Sequence, residues 1–201
     1  MIVETIVVGD LQTNCYLVYN ETTKAGILID PGADELIIKS FLKKTGVSLA
    51  AVILTHGHYD HIGIIDKFNV PVYIQEKDYK LLGDSASNLS AVFGRGKIFK
   101  IQAELLKEQK DLILAGLKFK VLYTPGHTPG GICLQIGSIL FSGDTLFFHG
   151  VGRTDLPGGS FKHLMQSIKT QLLVLEPKTK VFPGHGPPTT IFAEIKENEY
   201  A

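Results

Sequence analysis

The sequence has 201 residues, of which 44% are hydrophobic and 20% are charged, and its formal net charge at pH 7 is zero. This composition excludes general disorder, because disordered chains combine few apolar residues with a high net charge. The balance of 20 basic and 20 acidic residues argues against a dedicated nucleic-acid-binding protein, since such proteins carry a basic excess.

The length predicts a single domain over residues 1–201. Residues 1–5 show neither the basic nor the apolar segment of a signal peptide, and no apolar run reaches the roughly 20 residues of a membrane helix. We therefore expect a cytoplasmic protein. Cys15 and Cys133 stand in apolar runs, which predicts two buried, reduced thiols and no disulfide.

Runs of β-branched and apolar residues predict five strands in the first part of the chain, at Ile2–Val8, 16–19, 26–29, 50–54 and 70–74. Amphipathic spacing predicts a helix over 34–44, with Asp34 near its start and Gly46 at its end. A second helix is predicted over 76–82. Residues 83–97 are polar and contain glycine and serine, so we expect a long surface loop there, a candidate wall of a substrate pocket.

Two hairpins are predicted in the second part, where strands 111–114 and 117–123 flank Ala115-Gly116, and strands 132–136 and 139–142 flank Gly137-Ser138. A helix over 161–175 with Ser160 as its N-cap, a strand over 180–182 and a helix over 189–199 follow. So many hairpins do not suit a purely parallel sheet. The order favours an α/β (α+β) fold, a four-layer αββα sandwich of two mixed β-sheets with helices on both outer faces.

Histidines and carboxylates cluster directly after predicted strands. His56, His58 and His61 lie within six residues of one another beside Asp60. Residues two apart on extended backbone point to the same side, so His56 and His58 can reach one ion, and Asp60 and His61 can face a second point nearby.

Two further histidines, His127 and His185, lie in turns rich in glycine and proline, and Asp144 follows another strand. Seven such ligands exceed one tetrahedral site and fit two ions about 3.5–4 Å apart that share one carboxylate. His149 and His163 lack this context, and we expect them not to bind metal.

These motifs, from Thr55 to His61 and on through His127, Asp144 and His185, resemble the metallo-β-lactamase superfamily over nearly the whole chain. Within it the sequence is most similar to hydroxyacylglutathione hydrolase (glyoxalase II) and its small single-domain relatives, a likeness that residues 143–147 and 150–153 strengthen. The resemblance implies a first metal held by His56, His58 and His127, and a second held by Asp60, His61 and His185, with Asp144 as the bridge.

At two positions this sequence differs from other branches of the superfamily. The best-known β-lactamases carry cysteine at the position of Asp144, and the diiron oxygen- and nitric-oxide-reducing relatives typically carry glutamate at the position of His58. The resemblance also implies that Arg153 contacts a glutathione-linked substrate. Asp155 replaces the neighbouring family tyrosine, and an ion pair between Arg153 and Asp155 is an equally weighted interpretation.

The resulting hypothesis is a binuclear-metal hydrolase that cleaves a small-molecule thioester such as S-D-lactoylglutathione with a metal-bridging hydroxide, which Asp60 orients and whose proton Asp60 accepts. We expect two divalent ions per chain, zinc first, with iron and manganese as alternatives. Neither nucleic acid nor membrane is an expected partner. Three alternatives stay open: a mononuclear-iron persulfide dioxygenase, a hydrolase of other esters, lactones or phosphodiesters, and a metal-binding protein without catalysis.

Overall fold

The computed structural model describes residues 1–93, 95–107 and 111–200, and within them two six-stranded β-sheets account for most of the strands. The first sheet contains, in spatial order, β1 (Ile2–Val8), β2 (Thr13–Tyr19), β3 (Ala25–Ile29), β4 (Ser48–Ile53), β5 (Val72–Gln75) and β6 (Glu104–Leu106). Strands β1 to β3 pair antiparallel, with Ile2 opposite Tyr19, whereas β3 to β6 pair parallel. Helix α1 (Glu35–Thr45) makes the crossover that parallel neighbours such as β3 and β4 require.

The second sheet lies later in the chain and is also mixed. It is built from β7 (Asp111–Leu114), β8 (Leu117–Tyr123), β9 (Ile132–Ile136), β10 (Ile139–Gly143), β13 (Lys180–Pro183) and β14 (Thr189–Thr190). Strands β7 to β10 pair antiparallel, β10 pairs parallel with β13, and β14 pairs antiparallel with β13. Between β10 and β13 the chain forms a small hairpin of β11 (Leu146–Phe147) and β12 (Gly150–Val151).

Three groups of buried apolar side chains define four layers. One group lies between the two sheets and includes Tyr16, Ile27, Phe119 and Phe141. A second covers the outer face of the first sheet, where Ile38 of α1 packs, and the third covers the outer face of the second sheet. The predicted αββα sandwich is therefore confirmed.

Helices α5 (Phe161–Ser167) and α6 (Ile191–Glu197) cover the second sheet. Ser160 accepts a hydrogen bond from the backbone N–H of His163 and caps α5, as predicted, and the chain continues as a wider π-type turn over Ile168–Leu172. The last helix begins two residues later than predicted, because Thr189–Thr190 pairs with β13 and Thr190 then caps α6.

The end of α1 follows the sequence, but its start differs. Gly46 ends α1 in the left-handed conformation, with φ of 68°, which glycine commonly adopts after the last turn of a helix. Asp34 also has a positive φ of 56°, and its carboxylate makes no cap hydrogen bond. It accepts instead from the backbone N–H of Gly9 at 2.8 Å, which ties the turn after β1 to this helix.

The connection between β5 and β6 is more structured than predicted. It contains two short helices, α3 (Glu76–Tyr79) and α4 (Ser90–Phe93), and a 3₁₀ turn over Lys80–Gly83, whereas α2 (Tyr59–Ile62) lies in the connection from β4 to β5. The predicted loop over 83–97 thus contains α4, and its residue 94 lies outside the described residues. The eleven-residue α1 is the longest α-helix of the described chain, and no helix there has the length and apolarity to cross a membrane.

Candidate metal centre

The predicted ligands follow the ends of four strands and meet at one edge of the sandwich. His56 and His58 follow β4, and α2 carries Asp60 and His61 directly after them. The later ligands come from the second sheet: His127 follows β8, Asp144 follows β10 and His185 follows β13. Loops at the ends of strands are held by a rigid sheet, which suits them to position binding groups.

His56, His58 and His127 form a buried group whose ligand atoms lie within 4.8 Å of one another. The Nδ1 atom of His58 lies 2.9 Å from Nε2 of His127. In the described part of the chain, Nε2 of His56 and Nε2 of His58 are buried and have no hydrogen-bond partner. Buried polar atoms are rarely left unpaired. Because Nδ1 of His58 faces His127, Nε2 of His58 points away from the group, and Nε2 of His56 is the unpaired nitrogen that favours an additional binding partner at this point.

Asp60, His61 and His185 form a second group of the same size. Oδ2 of Asp60 lies 3.1 Å from Nε2 of His185 and 3.4 Å from Nε2 of His61. A hydrogen bond from Thr13 Oγ1 at 3.1 Å holds the same carboxylate oxygen. The turn between β1 and β2 therefore helps to position this group.

Asp144 lies between the two groups. Its Oδ1 is 3.4 Å from Nε2 of His61, and its Oδ2 is 3.6 Å from Nε2 of both His127 and His185. A side chain at Gly184 would collide with Oδ1 of Asp144, so only glycine lets the chain pass this close to the carboxylate. Asp144 thus has the position that a carboxylate shared by two ions requires.

The outward-facing nitrogens of four histidines contact protein oxygens. His127 Nδ1 donates to the carbonyl of Arg153 at 2.7 Å, and His185 Nδ1 donates to the carbonyl of Leu11 at 3.0 Å. His61 Nδ1 donates to Asp30, and His56 Nδ1 lies 3.1 Å from Thr55 Oγ1. A proton on the outer nitrogen leaves the inner one with a free electron pair, the arrangement found in metal-binding histidines.

Asp30 and Asp78 support the site, although the sequence interpretation did not assign them a role. Asp30, buried at the end of β3, accepts from the backbone N–H and hydroxyl of Thr55 and from His61 Nδ1 at 3.0 Å. The signal for Asp30 was its place directly after a buried strand. Asp78 accepts from the N–H groups of Gly57 and Gly130 and from the Thr128 hydroxyl. It joins the two ligand loops from within α3, where no sequence motif marks it.

Burial and neighbouring rings keep two of the histidines uncharged. Burial lowers the pKa of His56, and the adjacent rings of His61 and His58 lower it further. Burial together with His127 lowers the pKa of His58 to about 3. At neutral pH these two imidazoles are neutral, as ligands must be.

The carboxylates are stabilised in their ionised form. Burial raises the pKa of Asp144, but the charge of His61, whose Nε2 lies 3.4 Å from Oδ1, outweighs it and lowers the value to about 2. Asp60 follows the same pattern, because the charge of His61 and a hydrogen bond from His185 hold its pKa well below the usual range. Burial opposes a charge on His61 and His185, yet the two carboxylates raise both pKa values, so a metal ion binding there would displace protons.

Nitrogen and carboxylate ligands of this kind suit zinc, iron and manganese, and two adjacent groups that share Asp144 fit two divalent ions. Nε2 of His56 and Oδ1 of Asp144, both buried and without a hydrogen-bond partner, are atoms that such ions would satisfy. The assignment of each residue to a particular ion stays a prediction. His149 and His163 belong to none of the candidate metal groups found in the described chain, and His149 pairs with Glu197 at 3.0 Å.

A pocket of about 490 Å³ opens onto the cluster, and Arg153 lies in its wall. The guanidinium of Arg153 makes a bidentate ion pair with Asp155, with distances of 2.8 and 2.7 Å. Both side chains are exposed. The structure therefore shows the Arg153–Asp155 pair, and contact between Arg153 and a substrate stays a prediction.

Comparison with known sequences agrees with this geometry. The family model described as "Metallo-beta-lactamase superfamily" matches residues 8–185. The probable metallo-hydrolase YqgX of Bacillus subtilis is 34% identical, with 96% of this chain and 94% of that protein covered. The hydroxyacylglutathione hydrolase GloC of Haemophilus influenzae is also 34% identical, with coverage of 100% and 98%.

Two solved structures are similar to this chain over almost their full length. The structure titled BLEG-1 B3 metallo-beta-lactamase has a TM-score of 0.94 and 39% identity, and the alignment covers 99% of each chain. The di-iron-bound form of TTHA1623 has a TM-score of 0.87 and 38% identity, with 98% of this chain and 100% of that one covered. With its two-sheet sandwich and clustered histidines and aspartates, the chain belongs to the metallo-β-lactamase superfamily.

Proposed function

We propose that this protein is a binuclear-metal hydrolase that cleaves thioesters such as S-D-lactoylglutathione. The observation that carries the proposal is the cluster of five histidines and two aspartates at the base of an open pocket. Among the described residues that line this pocket there is no serine, cysteine or lysine to act as a covalent nucleophile. Similarity to GloC supports a thioester as the substrate.

Each part of the cluster has a role in this proposal. Two divalent ions bound there would activate a water molecule and polarise the substrate carbonyl. Asp60, held by Thr13 and ionised at neutral pH, orients the water and accepts its proton. The water oxygen bonds to the acyl carbon, the carbon–sulfur bond breaks, and the thiolate takes up the proton, so that a carboxylic acid and a thiol leave. Zinc is the proposed metal, and the similarity to di-iron TTHA1623 makes iron the first alternative.

The test follows the thioester absorbance of S-D-lactoylglutathione under anaerobic conditions, with protein loaded in turn with zinc, iron or manganese. We expect fast, saturable loss of absorbance with at least one metal. A parallel measurement of oxygen uptake with glutathione persulfide examines the dioxygenase alternative. Oxygen consumption by protein with one iron per chain, without thioester loss, would overturn the proposal.

The similarity to BLEG-1 favours a second candidate, hydrolysis of a β-lactam. The same activated water would attack the strained amide carbonyl, and the ring would open as the carbon–nitrogen bond breaks. The same metal-loaded samples are therefore assayed with a β-lactam. A kcat/KM for the β-lactam above that for every thioester would make β-lactam hydrolysis the principal activity. We propose small molecules as the partners, and neither nucleic acid nor membrane.

A further inference from the structure

The pocket beside the metal cluster has a wall of apolar side chains from three separate parts of the chain. Leu11 comes from the turn after β1, and the segment around α4 contributes Leu89 and Phe93. The hairpin of β11 and β12 and the loop after it contribute the remaining apolar residues, which are Phe147, Val151 and Leu156. Leu11 and Phe93 are about half exposed, at 48% and 54%. Large apolar side chains left open to water around a reaction centre indicate a surface that an apolar ligand covers.

Charge is scarce in this wall. Apart from the candidate metal ligands, Arg153 is the only charged side chain among the described residues of the pocket. Its guanidinium is already engaged by the carboxylate of Asp155. An anionic substrate group would have to compete with Asp155 for this cation, whereas an apolar group meets six apolar side chains directly.

A second, charged cleft adjoins the apolar pocket. It has a volume of about 460 Å³ and contains Asp10, Asp34 and Arg95. Leu11, Asp60 and Phe93 border both spaces. A thioester has two arms, one on each side of the reacting carbonyl, and Asp60 borders both spaces. The charged cleft suits a polar thiol carrier, which leaves the apolar pocket for the acyl group.

The position of Leu89 in the wall is held by its backbone. Leu89 has a φ of 67°, a left-handed conformation that is unfavourable for leucine. Neighbouring hydrogen bonds hold it there: the carbonyl of Asn88 accepts from the N–H of Tyr59 at 2.8 Å, and the Asn88 side chain donates to the carbonyl of Lys97. A strained backbone conformation persists only where surrounding contacts fix it. Here the fixed conformation places the apolar side chain of Leu89 in the pocket wall.

We propose that the apolar pocket binds the acyl group of the substrate and selects apolar acyl chains over short or hydroxylated ones. This inference rests on the proposed thioester hydrolysis. It makes S-D-lactoylglutathione a poorer substrate than a thioester of the same carrier with a longer, unsubstituted acyl chain. Leu11, Leu89 and Phe93 are then residues that determine specificity.

The first experiment measures kcat/KM for acetyl, propionyl, butyryl, hexanoyl and lactoyl thioesters of N-acetylcysteamine, a small uncharged carrier. We expect an increase of about fourfold for each methylene added until the pocket is filled. Propionyl should exceed lactoyl, because the pocket offers the extra hydroxyl no partner. Hydrolysis that is flat or falls with chain length would overturn the inference and leave the proposed function standing.

A binding measurement separates the two proposals. The S-ethyl and S-hexyl thioethers of N-acetylcysteamine cannot be hydrolysed, and their affinities are measured by titration calorimetry. Tighter binding of the hexyl compound, by at least tenfold, is expected whether or not thioesters turn over. Equal affinities would overturn the inference. Preferential binding without hydrolysis of any thioester would instead overturn the proposed function.

Alanine variants of pocket residues, each with an exposed control, test which side chains cause the preference for long acyl chains. Phe93→Ala and Leu11→Ala should reduce the preference for hexanoyl over acetyl thioester several-fold, mainly through KM. Val92→Ala, the neighbour of Phe93 on α4, and Val7→Ala on β1 are matched controls, since both are exposed and neither lines the pocket. The controls should keep the wild-type preference. Equal loss with both acyl groups in the Phe93 and Leu11 variants would contradict a role in selectivity.

Discussion

Five imidazole rings and two carboxylates lie together at the edge of the sandwich, and most of them are buried. Such a cluster is unfavourable for folding by itself, because it removes polar groups from water without pairing all of them. Nε2 of His56, Nε2 of His58 and Oδ1 of Asp144 are the unpaired atoms there among the described residues. The positions of His56 Nε2 and Asp144 Oδ1 explain the cluster as a metal centre better than as part of a polar core.

His58→Ala and Asp144→Ala should each reduce thioester hydrolysis more than about 100-fold, since even residues that only support metal ligands account for 10- to 100-fold effects. Both proteins should remain folded by circular dichroism, because neither side chain fills an apolar core. His163→Ala is the matched control, with an exposed histidine outside the cluster, and should retain full activity. Near-native turnover in the Asp144 variant would contradict the assignment.

The sequence predicted the seven ligand candidates because their spacing and their places after strands form a recognisable pattern. It did not reveal Asp30, whose role depends on β3 lying beside β4 so that its carboxylate reaches His61. The role of Asp78 was not predictable either, since its carboxylate accepts hydrogen bonds from Gly57 and Gly130, which are distant from it in the sequence. Long-range contacts of this kind depend on the tertiary arrangement and leave no local signature.

Secondary-structure elements place the pocket wall, and α6 positions one part of it. Glu194, fully buried on α6, accepts hydrogen bonds from the hydroxyl of Thr189, the side chain of Asn198 and the backbone N–H of His149. His149 lies at the tip between β11 and β12 with a positive φ of 53°. The helix thereby fixes the hairpin that brings Phe147 to the pocket.

Glu194→Gln should therefore destabilise the protein and weaken substrate binding. The new amide would set an N–H donor against an existing donor, at a cost of about 1–3 kcal/mol in the free energy of unfolding, and KM should rise more than kcat falls. Urea unfolding and steady-state kinetics measure the two effects. Glu197→Gln, an exposed glutamate on the same helix, should change stability by less than about 0.5 kcal/mol. Equal effects of the two substitutions would show that the buried hydrogen bonds are not responsible.

The segment that carries α4 is fastened by Lys97, whose ammonium donates to Asp66 and to the carbonyl of Gly63 at 2.8 Å each. Burial slightly opposes the charge on Asp66, but the hydrogen bond and charge of Lys97 outweigh it and lower its pKa. A carboxyl group with a lowered folded-state pKa stabilises the protein above its unfolded-state pKa and loses that contribution as the pH falls through the folded-state value.

Asp66→Asn should consequently lower the stability at pH 7, by less than about 1 kcal/mol because both side chains are partly exposed and the pair is screened. The difference from wild type should shrink as the pH falls below about 4 and vanish once Asp66 is protonated in both states. Urea midpoints between pH 7 and pH 2.5 test this. A difference that persists or grows in acid would assign the effect to something other than the charge of Asp66.

The longer elements were predictable because their periodicity extends over several turns or pleats, as in α1 and in the hairpins of β7 to β10. The two- and three-residue strands β6, β11, β12 and β14 were missed, since so few residues show no alternation. Their pairing is decided by neighbouring strands, as when β14 pairs with β13.

At the scale of the whole molecule, the metal centre joins the two sheets. His56 and His58 extend from the first sheet, whereas His127, Asp144 and His185 extend from the second. A single antiparallel β-bridge between Thr13 and His185 also connects the two sheets at this edge. Ions bound by both sets of ligands would favour the folded arrangement of the two sheets together, because the unfolded chain does not preserve the site. The single domain over residues 1–201 stays a prediction. It can be tested, because ions bound by ligands from both sheets would couple the unfolding of the two sheets.

Removal of metal should therefore lower the melting temperature of the entire chain in a single transition. At a free metal concentration about 100 times the dissociation constant, each bound ion contributes about 2.7 kcal/mol, so two ions correspond to a shift of about 11–22 °C for a protein of this length. Differential scanning calorimetry compares protein dialysed against a chelator with the same sample after zinc is restored. Magnesium serves as the control, since it prefers oxygen ligands in an octahedral arrangement and should produce no comparable shift. Two separate transitions, of which only one responded to zinc, would contradict both the single domain and the coupling of the two sheets through the metal centre.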